Sequence, residues 1–341
     1  MKRSQLGVWL LILVLATTLA LSGCGKTGTS TSAAPEVKNP AYPEKAVEIV
    51  APAGAGGGWD TFARAIAKTM ADEKIVTQPL PVLNKAGGSG AVALAWLVSN
   101  HKADPYELIV YSPPLIINGV NGTSKQTFRD LTPLARVISD YNVIVVKNDS
   151  PYKTLKDLLE AMKKDPTKIS IGGGSAPGGM DHLAFAKIAM AAGIKPKDIK
   201  YVSFQGGGEA MASLLGGHLT AISTGVGESI AQIEAKTVRA LAITSEKRLG
   251  GSLASVPTVK ESGFDVSYQI WRGVFGPPEM PAEAVRFWKE ALGKMVKTKG
   301  WEAVLKNYQW ADAFDADKFS EFLAQEEGVY KKLLTELGFV K

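Results

Sequence analysis

Short apolar segments of strand length alternate with amphipathic segments of helix length along most of the chain. The first strand candidate, KAVEIVAP (45–52), is followed by a segment that places Phe62, Ile66 and Met70 on one helical face. A second strand candidate, LPVLNKAG, precedes another helical segment, and YELIVYS is a third strand candidate. This order is typical of parallel strands, because a crossover helix connects them.

A second series of the same kind begins near residue 168. Its strand candidates are KISIGGG, IKYVSFQGGG, LTAISTG and VRALAITS, with helical segments between them. Such alternation predicts the α/β class, with mostly parallel sheets flanked by helices on both faces.

Two long extended segments connect the two series. LARVISDYNVIVVKND (134–149) and VSYQIWRGVFGPP (266–278) can each cross from one lobe to another, and after the second only helices are evident. We therefore predict a lobe 1 that contains residues 43–140 and 265–341, and a lobe 2 that contains residues 141–264.

The amino-terminal residues have the layout of a secretory signal, with Lys2 and Arg3 ahead of an uninterrupted apolar stretch. The stretch ends in LSGC, which resembles the lipobox of bacterial lipoproteins. That resemblance implies a signal peptide of residues 1–23, lipid attachment to Cys24 and anchoring at the extracytoplasmic face of the cell membrane. The alternative, an uncleaved membrane helix, needs an apolar run of roughly 20 residues, longer than the one present. Residues 24–42 are rich in small polar residues and proline, which predicts a flexible tether.

Composition adds limits on the class of function. The chain has 341 residues, 45% hydrophobic and 21% charged, which is enough for two lobes of ordinary size. The single cysteine excludes an internal disulfide and a cysteine-rich metal site. Removing Lys2 and Arg3 lowers the formal net charge from +6 to +4, and the remaining basic residues are scattered. Nothing in the charge pattern indicates nucleic acid binding.

Four glycine-rich loops follow predicted strands: AGAGGGWD, KAGGSG, GGGSAPGG and QGGGE. Ligands of open parallel α/β sheets bind at the carboxyl ends of the strands, so these loops can face one another across a cleft. Glycine allows successive N–H groups to point inward beside a helix amino terminus, which favours an anion. Carboxylate is preferred over phosphate because the chain contains no G-x-x-x-x-G-K-[ST] motif.

Individual residues in and near these loops have candidate roles. Asp60 is the expected N-cap of the first helix and keeps the amides of Gly57 and Gly58 free for a ligand. Trp59 is either a wall of the cleft or a lid on the sheet. The neutral donors at or near strand ends are Ser112, Ser175, Gln205 and Thr224, and capping of a neighbouring helix is the alternative role for Ser175, Gln205 and Thr224.

A dinucleotide-binding site and an enzyme active site are both disfavoured. Gly54 and Gly56 fit the start of G-x-G-x-x-G, but Trp59 stands at the third glycine and Asn84 stands where an acidic residue is expected. The three histidines have no metal-ligand spacing, and no G-x-S-x-G motif occurs. We therefore expect no cofactor, no metal and no enzymatic activity, although a catalytic group assembled only in three dimensions stays open.

Seven collinear segments carry a family resemblance. They are YPEKAVEIVAPAGAGGGWDTFAR, VLNKAGGSGAVA, ISIGGGSAPGGMDHLAF, VSFQGGGEAMASLLGGHLTA, VRALAITSEKR, SVPTVKESGFDV and WRGVFGPPEMP. In this order they resemble the substrate-binding proteins of tripartite tricarboxylate transporters, the citrate-binding and Bug-type receptors. Thr220 and Ser223 stand near a position where many members have an acidic residue, and FQG replaces YKG or YRG, so the identity of the ligand stays open.

The resemblance implies a two-lobe fold of the periplasmic-binding type (type II-like) with a ligand cleft between the lobes. It implies a monomeric receptor that captures a small di- or tricarboxylate and delivers it to integral membrane permease subunits. A sensor subunit for a signalling partner is the alternative, and an extracytoplasmic hydrolase is a third class that turnover would reveal. The full set of candidate ligand-binding residues is Ala53, Gly54, Gly57, Gly58, Asp60, Ser112, Ser175, Ala176, Gly178, Gln205, Gly206, Gly207 and Thr224.

Overall fold

The computed structural model describes residues 42–340. The expected signal peptide 1–23, the lipidation site Cys24 and nearly all of the expected tether lie outside the described residues. Within residues 42–340, no helix combines the length and apolar character needed to cross a membrane.

The described chain contains ten strands and ten α-helices. The strands are β1 (Glu48–Ala51), β2 (Val82–Asn84), β3 (Glu107–Tyr111), β4 (Thr132–Lys147), β5 (Ser170–Gly173), β6 (Lys200–Ser203), β7 (Ala221–Gly225), β8 (Val238–Ile243), β9 (Gln269–Gly276) and β10 (Ala311–Asp315). The helices are α1 (Gly58–Asp72), α2 (Ala91–Asn100), α3 (Pro114–Val120), α4 (Leu155–Lys164), α5 (Met180–Ala191), α6 (Gly207–Leu215), α7 (Val226–Glu234), α8 (Ala282–Met295), α9 (Lys299–Tyr308) and α10 (Phe319–Glu336).

The long strand β4 belongs to both halves of the sheet. Its first part pairs with β9 and β10, and its second part pairs with β7 and β8. The strand order is β2-β1-β3-β9-β4-β7-β5-β6. Strands β1 to β3 and β5 to β7 form parallel groups, whereas β4 and β9 run antiparallel to their neighbours. The α/β class is therefore confirmed, and the antiparallel strands β4 and β9 make the sheet mixed. Of the two segments expected to cross between lobes, β4 spans both halves, whereas β9 pairs within the first half, with β3 and the first part of β4.

The sequence-based element assignment was wrong at two places. The segment that follows β3, to which the sequence pattern assigned no helix, contains α3, whose first residue Pro114 suits the first turn of a helix. The carboxyl-terminal segment, expected to be only helical, contains the strand β10, which pairs antiparallel with β4. Five residues of mixed polarity carry too weak a periodic signal to be recognised as a strand without their partner.

Each half of the sheet has buried apolar residues on its own faces. In the second half, Val143 and Val145 of β4 pack in a cluster with Met211, Leu214 and Ile222. The larger cluster covers the first half and continues beneath the helices of the second half. Strand β4 therefore contributes to both apolar clusters, which makes it the structural connection between the two halves.

A buried ion pair lies where β4 passes from one half to the other. Arg272 Nη2 of β9 lies 2.9 Å from Asp140 Oδ2 of β4, and the two side chains are 2% and 0% exposed. Burial raises the pKa of Asp140, while the charge of Arg272 opposes that shift. Removal of one partner leaves an uncompensated charge in the interior.

Arg272→Gln is expected to lower the free energy of unfolding by about 3–5 kcal/mol, because Asp140 then loses its counter-charge. Chemical denaturation at neutral pH measures the change. The matched control is Arg248→Gln, since Arg248 and Glu261 form an ion pair at 2.8 Å with side chains 44% and 46% exposed. Loss of that exposed pair is expected to cost less than about 1 kcal/mol. Equal losses in the two variants would contradict the role given to burial.

Candidate functional site

Five described α-helices begin after glycine N-caps: α1 after Gly57, α2 after Gly90, α5 after Gly179, α6 after Gly206 and α7 after Gly225. Glycine has no side chain that could accept a hydrogen bond from the first turn of the helix. The leading N–H groups of these helices also have no acceptor within their own helix. These helix ends therefore favour acceptors or negative charge supplied by other parts of the chain.

The glycine-rich loops of the two halves contact one another directly. The N–H of Gly54 donates to the carbonyl oxygen of Gln205 at 3.2 Å. The N–H of Ala176 donates to Ser89 Oγ at 2.7 Å. The loops that follow β1 and β2 thus meet the loops that follow β6 and β5, as the sequence-based arrangement of loops predicts.

A small cavity of about 30 Å³ lies among these loops. Its walls are formed by Ala53, Gly58, Trp59, Ser89, Ser112, Pro114, Gly174, Ser175, Met180, Asp181, Gly206, Gly207, Glu228 and Arg272. We call it the central cavity.

The carboxylate of Glu228 binds the amino-terminal end of α1. Glu228 Oε1 accepts a hydrogen bond from the N–H of Gly58, 170 residues away in sequence. Glu228 Oε2 accepts hydrogen bonds from the Thr224 hydroxyl at 2.6 Å and from the N–H of Gly225 at 2.9 Å. One side chain of the second half therefore satisfies donors at the amino termini of both α1 and α7.

The amides of Gly57 and Gly58 are not free in this structure, contrary to the sequence-based expectation. The N–H of Gly57 donates to the carbonyl oxygen of Gly54 at 3.2 Å, and the N–H of Gly58 donates to Glu228. The sequence did not reveal this occupant, because Glu228 lies far along the chain and only the fold brings it to α1.

Asp60 is not the N-cap of α1, because the helix begins two residues earlier, at Gly58. Its carboxylate accepts hydrogen bonds from the N–H of Gly56 at 2.9 Å, from Arg64 Nε at 2.8 Å and from Asn84 Nδ2 at 2.9 Å. Although burial acts in the opposite direction, hydrogen bonds from Arg64, Gly56 and Asn84 hold the pKa of Asp60 below its ordinary value. Asp60 thus holds the loop through Gly56.

Asp181, a second carboxylate of the central cavity, was also missed from the sequence. It is 2% exposed, and its Oδ1 accepts a hydrogen bond from Asn142 Nδ2 at 3.3 Å. Burial and the nearby charge of Glu228 raise the pKa of Asp181 to about 8. The central cavity therefore combines two acidic side chains with one cation, Arg272, which is already paired with Asp140.

The structure brings many of the candidate residues together. Those that line the central cavity are Ala53, Gly58, Ser112, Ser175, Gly206 and Gly207. Trp59 is one wall of this cavity, and its indole N–H donates to Ser112 Oγ at 2.9 Å. Ala176 and Gln205 line an adjoining cavity that shares Trp59 and Ser89 with the first. We call it the neutral cavity, because none of the described residues that line it is charged.

The other candidates lie behind or beside these walls. Thr224 contacts Glu228, as described, and Gly54 and Gly57 belong to the loop that meets Gln205. Gly178 faces away from both cavities. Its N–H donates to His182 Nδ1 at 2.9 Å, and a Cβ at this position would lie 3.3 Å from the ring of Phe339. Gly178 therefore contributes no free amide to either cavity.

Two further features lie away from the glycine-rich loops. A cavity of about 690 Å³ is open beside β8, and it contains none of the candidate residues. In the part of the chain that the structure describes, His101, Asp104 and Glu107 place three possible metal-ligand atoms within 4.8 Å of one another. Glu107 is the first residue of β3, and Ser112 follows its last residue. The group of His101, Asp104 and Glu107 therefore lies at the opposite end of this strand from the central cavity.

Comparisons with known proteins agree with this architecture. Residues 62–339 match the family model of the tripartite tricarboxylate transporter family receptor. The chain is 28% identical over 303 residues to a UPF0065 protein from Pseudomonas sp. strain P51, covering 87% of each protein.

Two solved structures share the fold. The first is described as a periplasmic transporter and superposes with a TM-score of 0.79 at 26% identity, covering 88% of this chain and 99% of that one. The second is MatC from Rhodopseudomonas palustris with bound malate, with a TM-score of 0.76 at 20% identity, covering 86% of this chain and all of that one. The periplasmic-binding type of fold is thereby confirmed.

Asp181→Asn is expected to make stability less dependent on pH. Between the ordinary aspartate pKa of 3.8 and about 8, the folded chain keeps a proton that the unfolded chain has lost. The wild-type protein therefore loses stability as the pH rises through this window, whereas the amide has no proton to lose. Thermal unfolding from pH 4 to pH 9 measures this, and a stability difference between the two proteins that stays constant with pH would contradict the raised pKa.

Proposed function

Because the chain belongs to the tripartite tricarboxylate transporter receptor family, we propose that it is an extracytoplasmic solute-binding receptor. It captures a small carboxylate of the di- or tricarboxylate class and delivers it to the membrane permease of such a transporter. The bound malate of MatC supports this class of ligand. Receptors of this family bind and release solutes unchanged, so we propose no enzymatic activity.

The observation that supports this function best is the meeting of four glycine-capped helix ends around the central cavity. The ends of α5, α6 and α7 belong to one half of the sheet, and the end of α1 belongs to the other half. A ligand held there contacts both halves at once. We therefore propose that the halves correspond to the two lobes, with residues 43–140 and 265–341 in one and residues 141–264 in the other.

Ligand entry requires the lobes to separate. The central cavity is small, about 30 Å³, and loops of both proposed lobes close around it. Three hydrogen bonds join the proposed lobes across the cleft itself: Gly54 to Gln205, Gly58 to Glu228 and Ala176 to Ser89. Other hydrogen bonds between the lobes, such as those of Thr244 with Tyr268, lie beside the connecting segments. The cleft opens when the three bonds across it break and the chain bends where β4 passes from one half of the sheet to the other. Ligand contacts from both lobes then stabilise the closed state.

Attachment to the membrane is a separate proposal. The lipid on Cys24 anchors a monomeric receptor at the outer face of the cell membrane, and the tether keeps the folded part close to its permease. A sensor subunit with the same ligand is the second candidate function. Reconstitution of uptake with the permease favours transport, and a response that needs a signalling partner but no permease favours sensing.

A thermal-shift screen of the refolded protein against mono-, di- and tricarboxylates is expected to identify acids that raise the unfolding temperature, because a ligand that binds only the folded state stabilises it. Gly57→Val is then expected to abolish binding of those acids. A Cβ at Gly57 would lie 3.1 Å from the carbonyl oxygen of Gly54 and 3.6 Å from Gly206 Cα, so a branched side chain distorts this loop and holds it away from the loop of Gly206.

Gly250→Val is the matched control, because this glycine also has an extended backbone and a Cβ there meets only Gln309 Oε1, at 3.9 Å. Calorimetry compares the affinities of the three proteins. Unchanged affinity in Gly57→Val would remove this loop from the binding site.

Cys24→Ser is expected to move the protein from the membrane fraction to the soluble extracytoplasmic fraction, because serine cannot accept the thioether-linked lipid. Fractionation followed by immunoblotting measures the distribution. A variant that still sediments with membranes would contradict the lipid anchor.

A further inference from the structure

We propose that the ligand carries a protonated amine in addition to its carboxylate, and that Glu228 and Asp181 recognise the amine. This inference rests on the proposed function as a solute receptor and narrows the class of solute. It assigns the two ends of the ligand to the two adjoining cavities.

The charges around the central cavity favour a cation over a second anion. Among the residues that line it, Arg272 is the one cation, and its charge is engaged by Asp140. Asp181 and Glu228 both face the same space. A second negative charge close to the Glu228 carboxylate is unfavourable in a site shielded from water, whereas an ammonium gains from it. Asp181, which keeps its proton near neutral pH, adds an uncharged oxygen acceptor beside it.

Glu228 already occupies the place that the helix ends offer to an anion. Its carboxylate accepts hydrogen bonds from Gly58, Thr224 and Gly225, at the amino termini of α1 and α7. A ligand carboxylate would have to displace this side chain, whose own charge would then lie beside the incoming charge. An ammonium requires no displacement, because it binds to the outer side of a carboxylate that the protein holds in position.

The neutral cavity offers a place for the carboxylate end of the same ligand. It shares Trp59, Ser89 and Gly174 with the central cavity, so one small molecule can extend from one into the other. Its lining includes the backbone of Gly87 and Gly88. Backbone amides and hydroxyl groups bind carboxylates without a counter-charge.

This arrangement distinguishes an amino acid from the plain acid of the same carbon skeleton. Four matched pairs test it: propionate and β-alanine, succinate and aspartate, glutarate and glutamate, adipate and 2-aminoadipate. Each amino acid differs from its partner by one ammonium group. Calorimetry and thermal shift on the refolded full-length mature protein measure the affinity of each compound.

We expect that, in the pair of best-fitting length, the amino acid binds at least about tenfold more tightly than the plain acid. Glu228→Gln keeps an acceptor for the Gly58 amide but removes the charge, so it is expected to reduce that preference several-fold. Asp157→Asn is the matched control, because Asp157 also lies in the first turn of a helix and accepts the N–H of the residue that precedes that helix, Thr154, at 2.9 Å, without lining either cavity. It is expected to leave the preference unchanged.

The outcomes separate this inference from the proposed function. Plain acids that bind as tightly as the amino acids, or more tightly, would overturn the inference and leave the carboxylate receptor intact. The comparison of the pairs on the wild-type protein decides between these two results even if Glu228→Gln fails to fold. Absence of binding by every compound of both kinds would overturn the proposed function as well.

Discussion

The buried ion pair of Asp140 and Arg272 is the constraint on which the rest of the site depends. Asp140 lies on β4 beside the junction of the two halves, and Arg272 lies on the neighbouring strand β9. A Cβ on Gly58 would overlap the guanidinium group of Arg272, so this arginine also requires glycine at the start of α1. The side chain of Arg272 thus contacts both β4, through Asp140, and the amino-terminal end of α1, at Gly58.

The central cavity is unusual for an anion site because the protein supplies its own anions. Helix amino termini favour negative charge, and here Glu228 provides it from within the chain. Asp181 lies buried nearby, and its burial raises its pKa. Glycine-rich loops therefore do not by themselves identify an anionic ligand, since the charge that neutralises the helix ends can come from elsewhere in the fold.

The sequence predicted the α/β class, the two extended segments that contain β4 and β9, and the meeting of the glycine-rich loops, because these depend on local periodicity and on glycine after each strand. It did not predict Asp181, Glu228 and Arg272 as neighbours. These residues come from α5, α7 and β9, and no spacing in the chain relates them. Asp60 was recognised as holding the loop, but its acceptor role toward Gly56 depends on where α1 begins, a boundary that sequence patterns locate poorly.

The strand order also determines when each half can be completed as the chain is made. Strand β9 inserts between β3 and β4, so the first half keeps a gap in its middle until residue 276 is available. Every strand of the second half has been made once residue 243 is available. The amino-terminal half of the sheet is thus the last to close, and the binding cleft forms only when about four-fifths of the polypeptide exists.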